Sequence, residues 1–115
     1  MNTAAQVRHL ALSLPETAEQ EHHGMASFRV RGKIFATVPD DANVRIMVDE
    51  AETRAAASEN PGVCRELYWG KRLACVEVAV ASASPELLRE LLTEAWLRKA
   101  PKALARAFAD PPDLP

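Results

Sequence analysis

Little in this chain points to covalent chemistry. Cys64 and Cys75 are its only cysteines. Two are too few for a disulfide framework and they have no zinc spacing, so both read as buried thiols. A catalytic thiol needs a neighbouring base, and nothing in the sequence supplies one. Apolar runs are only a few residues long, which excludes a transmembrane helix. No phosphate-binding loop, dinucleotide fingerprint, hydrolase elbow or pair of catalytic carboxylates occurs. The histidines are His9, on a helix, and the adjacent His22 and His23 beside Glu21. Adjacent side chains in an extended chain rarely point at one ion, so no metal and no cofactor is expected. Positive charge is not in excess either. The 14 Lys and Arg stand against 16 Asp and Glu, a net charge of −2. A generic nucleic-acid binder usually carries a basic excess, so the net charge argues against one.

What is present is ordinary for a globular protein. Apolar residues make up 48% and charged residues 26%, enough for one core without metal or disulfide support. A chain of 115 residues fits one domain, placed at 1–108, with a flexible tail at 109–115 rich in proline. The N-terminus reads as an amphipathic helix and not as a signal peptide, so the expected location is cytoplasmic. The charge is unevenly spread. Residues 25–38 hold Arg29, Arg31 and Lys33 and no acid, whereas 39–62 hold six acids against two arginines.

Periodicity gives the element order. Val7, Leu10, Ala11 and Leu14 form one stripe of a helix from Thr3 to Leu14, with Thr3 and Gln6 as a capping box. The polar run Glu16 to Met25 reads as a loop. Strands are expected at Ser27–Arg31, Ile34–Val38 and Val44–Val48. A two-residue Gly32-Lys33 turn of type II′ pairs Val30 with Phe35 and Phe28 with Thr37, facing the core, and Arg31 with Ile34 and Arg29 with Ala36 on the other face. A helix starts at Asp49 and stops at Asn60-Pro61-Gly62. Extended segments at Val63–Tyr68 and Leu73–Val80 flank the turn Trp69-Gly70-Lys71. Ser84, Pro85 and Glu86 open a long helix with Leu87, Leu88, Leu91, Leu92, Ala95 and Trp96 on its apolar face, and Lys102 to Phe108 forms a short last helix. Adjacent strands imply antiparallel pairing. The fold class is therefore α+β, two layers, one antiparallel sheet of about five strands with helices packed on it.

Several strings, in order along residues 3 to 107, resemble one family. They are Ser27-Phe28-Arg29-Val30, Gly32-Lys33-Ile34-Phe35-Ala36, Pro61-Gly62-Val63, Tyr68-Trp69-Gly70-Lys71-Arg72, Leu87 to Trp96, and Ala100-Pro101-Lys102. Together they resemble the MmcQ/YjbR family. The resemblance implies a fold similar to type III secretion chaperones, with the order α-β(3)-α-β(2)-α. It also implies a proposed role for the family, DNA binding by a double wing of hairpins. Leu73-Ala74-Cys75 stand where many members of that family carry a tryptophan.

Two functional readings are expected, neither enzymatic. In the first, Arg29, Arg31 and Lys33 in one hairpin and Lys71 and Arg72 in the other contact the phosphates of double-stranded DNA. The competing reading of the same charges is a solvated strand face that keeps a sheet edge from aggregating. In the second, the chain is a homodimer or an adaptor for a protein partner, with Ile34, Val38 and Met47 as exposed apolar contacts and no membrane involved. A small-molecule site at Tyr68 and Trp69 is the remaining alternative. These aromatics could stack on a base or ligand, but large aromatics are usually buried, which makes a core anchor under the turn the commoner reading.

Overall fold

The computed structural model describes residues 2–109. Residues 110–115, most of the expected tail, lie outside that range. The chain opens with helix α1 (Ala4–Leu12), continues through strands β1 (Thr17–His22), β2 (Met25–Val30), β3 (Lys33–Val38) and β4 (Asn43–Ile46), and enters α2 (Glu50–Glu59). Strands β5 (Cys64–Trp69) and β6 (Arg72–Ala79) follow, then α3 (Pro85–Lys99) and α4 (Lys102–Ala109). The strands form one antiparallel sheet in the order β1-β2-β3-β4-β6-β5. The class is α+β as expected, with six strands in place of about five.

Local chemistry explains where the helices start. In α1 the Gln6 N–H donates to the Thr3 hydroxyl at 3.3 Å, and the Thr3 N–H donates to the Gln6 side chain at 2.9 Å, completing the capping box. The Asp49 carboxylate accepts from the Glu52 N–H at 2.8 Å to start α2. Ser84 does the same for α3 through the Leu87 N–H at 3.1 Å, with Pro85 in the first turn. Each cap satisfies a donor that the helix itself leaves orphaned.

The extra strand is β1, in the segment expected to be a loop. Its residues, TAEQEH, are polar apart from Ala18 and mostly exposed on both faces. An edge strand needs only one neighbour to satisfy its backbone, and charged side chains there discourage further pairing. Strand β1 pairs with β2 along its whole length, from Thr17 opposite Val30 to His22 opposite Met25.

The β2–β3 turn also differs from expectation. Its central residues are Arg31 and Gly32, with φ of 49° and 83°. Two consecutive left-handed residues are the signature of a type I′ turn, whose twist matches the strands it joins. Val30 therefore faces Lys33 and Arg29 faces Ile34. A bulge follows, so that Phe28 pairs with Ala36 and Ser27 with Thr37. Phe35 is the extra residue of the bulge. Phe28, Val30 and Phe35 are all buried as expected, but Ala36 joins them in the core instead of lying beside the arginines.

The two sheet faces differ in kind. One cross-strand row runs Phe28, Ala36, Ile46, Val76. These residues are buried in one cluster with Val7 and Ala11 of α1, Ala56 of α2, and Leu88, Leu92 and Trp96 of α3. Two ion pairs tie helices to the same face: Arg8 of α1 bonds Glu19, which pairs with Phe28, and Arg54 of α2 lies 3.8 Å from Glu66, which pairs with Val76. Trp96 is fully buried and its indole N–H donates to the Pro15 carbonyl at 2.9 Å, pinning the α1–β1 connection to α3. Truncating a buried tryptophan typically costs roughly 3–5 kcal/mol. The opposite face carries a polar row, Ser27, Thr37, Arg45, Glu77 and Arg65, each directly paired with the next across the strands. No helix among the described residues is long and apolar enough to cross a membrane.

Candidate functional site

The register leaves a gap in the sheet. The last β4 pairs are Ile46 with Ala36 on one side and Ile46 with Val76 on the other. Strand β3 begins three residues before Ala36 and β6 begins four residues before Val76. Both hairpins thus run past the end of β4. One further bond, from the Met47 N–H to the Phe35 carbonyl at 2.9 Å, holds the chain before it turns away at Val48 towards α2. Beyond that point β3 and β6 have no strand between them, and an open cleft of about 910 Å³ occupies the space. Its walls include Lys33 and Ile34 from one hairpin, and Trp69, Arg72 and Leu73 from the other. It extends over the polar face of the sheet to Thr37, Arg45, Arg29 and the His22-His23 corner.

The last turn of α3 closes one side. Arg98 donates from one guanidinium nitrogen to the Met47 carbonyl at 2.9 Å and to the Val48 carbonyl at 3.3 Å. That contact satisfies two carbonyls left unpaired where β4 stops, and it brings Lys99 to the cleft.

The electrostatics of the cleft are one-sided. Six of its lining residues are Arg or Lys, and Glu50 is the only carboxylate among them. Glu50 is itself bonded to Arg54 at 2.8 Å. Arg45 is bonded to Glu77 at 3.1 Å. Among the described residues no carboxylate forms an ion pair with Arg29, Lys33, Arg72, Arg98 or Lys99. Their mutual repulsion is visible at Lys99, whose ammonium is held below the usual lysine range by burial first, and then by Arg98, Lys33 and Arg72. Such a cluster favours an anionic ligand, because an anion among these cations offsets their mutual repulsion.

Of the basic residues singled out from the sequence, Arg29, Lys33 and Arg72 meet in this cleft. Arg31 and Lys71 do not line it. Arg31 donates two hydrogen bonds to Glu16, and Lys71 is exposed at the β5–β6 turn. Arg45, Arg98 and Lys99 also line the cleft, and no local pattern marks them. Arg45 arrives through the β4 register, and Arg98 and Lys99, distant along the chain, arrive through the packing of α3.

The two turn aromatics are not core anchors. Tyr68 is 45% exposed and Trp69 52% exposed. The Tyr68 hydroxyl donates to Glu66 at 2.6 Å, and Tyr68 does not line the cleft. Trp69 does line it, with the Arg72 guanidinium 5.9 Å from its ring centre, a cation–π arrangement. His22 and His23 stack edge to face with ring centres 4.3 Å apart. No group of three or more His, Cys, Asp or Glu side chains among the described residues is placed to hold a metal ion. Both cysteines are free and buried. Burial pushes the Cys64 thiol up, and it pushes Cys75 up to about 11. Neither is an activated thiolate.

A family model, YjbR, matches residues 12–98. No curated protein matches the chain. Among solved structures, the chain is similar to the crystal structure of Deinococcus radiodurans protein DR2400, which carries a DUF419 domain. The TM-score is 0.75 at 21% identity, over 99% of this chain and 93% of that one. At that identity the likeness concerns the fold, and it includes the hairpins that flank the cleft. The matched segment contains both of those hairpins, β4 and α3 up to Arg98, and the chain belongs to the YjbR family.

Proposed function

We propose that this protein binds the phosphate backbone of DNA, without catalysis, in the cleft between its two hairpins. The carrying observation is the set of five cations, Arg29, Lys33, Arg72, Arg98 and Lys99, that share one cleft and have no carboxylate partner among the described residues. The net charge of −2 does not oppose this reading, because the acids are engaged or lie elsewhere. Phosphate contacts of this kind fix position and give affinity but carry no base sequence. The test is fluorescence anisotropy with a labelled duplex across a salt series. Binding that weakens linearly in log–log form, with a slope reduced in Lys33→Ala and Arg72→Ala, supports the reading. Absence of binding at low salt, by the duplex and by a single strand of the same length alike, overturns it.

A second reading has one observation in its favour. Ile34, Met47 and Leu73 are half-buried apolar residues set among the cations of the same cleft. An apolar floor with a cationic rim also suits an acidic protein partner or a second copy of the chain. Light scattering that finds only monomer at high concentration counts against the dimer form.

A further inference from the structure

Six aromatic side chains occur in the sequence. Phe28, Phe35 and Trp96 are fully buried, and Phe108 packs on Trp96 with ring centres 4.9 Å apart. Tyr68, Trp69 and Phe108 are exposed, but Phe108 packs on Trp96, Tyr68 is occupied with Glu66, and neither lines the cleft. Trp69 is therefore the one large aromatic that stands half in solvent on a wall of the cationic cleft. It sits opposite Arg72 across β5 and β6, next to the hairpin turn, with the guanidinium over its ring. Keeping an indole in water forgoes the burial that Phe28, Phe35 and Trp96 obtain. The arrangement is what a ligand with both a flat face and a negative charge requires.

We propose that the cleft takes an unpaired nucleotide of a nucleic-acid strand, its base stacked on Trp69 and its flanking phosphates on Arg72, Lys33 and Lys99. This rests on the phosphate-binding reading above and goes further by naming which form of nucleic acid is held. In a duplex each base face is already covered by its neighbours, so a base can reach Trp69 only from a single strand, a loop or an end. Stacking of a base on an aromatic is tolerant of sequence and adds to the charge contribution of the backbone. The ligand class is accordingly single-stranded nucleic acid, bound with little base preference.

The experiment compares three labelled probes of equal length, an oligo-dT strand, the same backbone made abasic, and a duplex, against wild type, Trp69→Ala and Trp69→Phe. Tryptophan emission is recorded in parallel, because Trp96 is buried and only Trp69 can be quenched by contact. The expected result is tightest binding of oligo-dT, with quenching that Trp69→Phe abolishes. Trp69→Ala loses roughly 10-fold or more in affinity for oligo-dT and little for the abasic strand, and Trp69→Phe falls between. Equal affinity for all three probes, with Trp69→Ala unaffected and salt dependence intact, overturns base stacking and leaves phosphate binding standing. Failure of every probe to bind overturns both.

Discussion

Arg31 donates to Glu16 from Nε at 2.5 Å and from Nη2 at 3.1 Å, and both residues occupy left-handed backbone, with φ of 49° and 53°. The pair locks the start of β1 to the β2–β3 turn. It also takes the most prominent arginine of the basic hairpin out of circulation. The Glu16 carboxyl is held below its ordinary value chiefly by the hydrogen bond from Arg31. A depressed carboxylate contributes stability above its ordinary range and loses it as pH falls through its folded value. Arg31→Ala should lower Tm at neutral pH, and the difference from wild type should shrink at acid pH, as the pH falls through the lowered Glu16 value. Its affinity for nucleic acid should change by about twofold at most, because an exposed cation already paired adds little. Thermal melts at the two pH values and anisotropy check both halves.

Lys99 invites the opposite trade. Its charge is disfavoured by burial and by Arg98, Lys33 and Arg72. Replacing it by Met keeps the stem and removes the repulsion. Lys99→Met should raise Tm by about 2 °C at low ionic strength, and the part of the gain that comes from Arg98, Lys33 and Arg72 should be lost near 1 M salt, where the screening length falls to about 3 Å, leaving the part due to burial. The same variant should bind nucleic acid more weakly. A variant that loses stability and affinity together would show that the charge cluster is not repulsive.

Glu77 is 3% exposed and accepts from Arg45 at 3.1 Å and from Arg65 at 2.8 Å. It neutralises Arg45, which otherwise faces the cleft. Glu77→Gln should cost about 1–2 kcal/mol in urea unfolding, the low side for a broken buried pair because Arg65 can rehydrate. It should also tighten polyanion binding a few-fold by freeing Arg45. These opposed movements separate the ion pair's structural role from its effect on the cleft.

The thiols should be inert in the native state. The Cys75 thiol is pushed up to about 11, by burial first and by Glu77, against the nearby Arg45, which lowers it. At pH 8 only about one Cys75 in a thousand is then a thiolate. Incubation with a disulfide reagent at that pH should label neither cysteine over minutes, and both should react at once in denaturant. Rapid native labelling of Cys75 would reopen a thiol-based activity.

How much of this was legible in the sequence depended on whether the signal was local. Ser84, Pro85 and the leucine stripe of α3 are local, and so is the Thr3–Gln6 box; each is where the sequence reading puts it. Strand β1 leaves no such trace, because an edge strand with both faces wet has no apolar alternation. The turn lies at Arg31-Gly32, one residue before the Gly32-Lys33 that the sequence suggests, because glycine suits the first position of a type II′ turn and the second of a type I′ turn equally well. That single step, with the bulge at Phe35, moved Ala36 to the other face. Arg29, Lys33 and Arg72 stood out as basic hairpin residues. Arg98 and Lys99 look like ordinary helix-end cations until α3 is seen to end beside Met47 and Val48. The exposure of Trp69 follows from its place at the far end of β5, beyond the reach of α2, which composition does not encode.

Strand β4 has only four residues, and its neighbours overrun it. This makes the slot a product of omission. It is cut into the sheet by ending one strand early, not hollowed from the core, so it needs no unfilled interior volume. Its depth should then be adjustable in steps of one residue pair, by moving the point where β4 lets go of Phe35. A change in the length of β4 then alters the slot between the hairpins while every packed residue of the sheet stays in place.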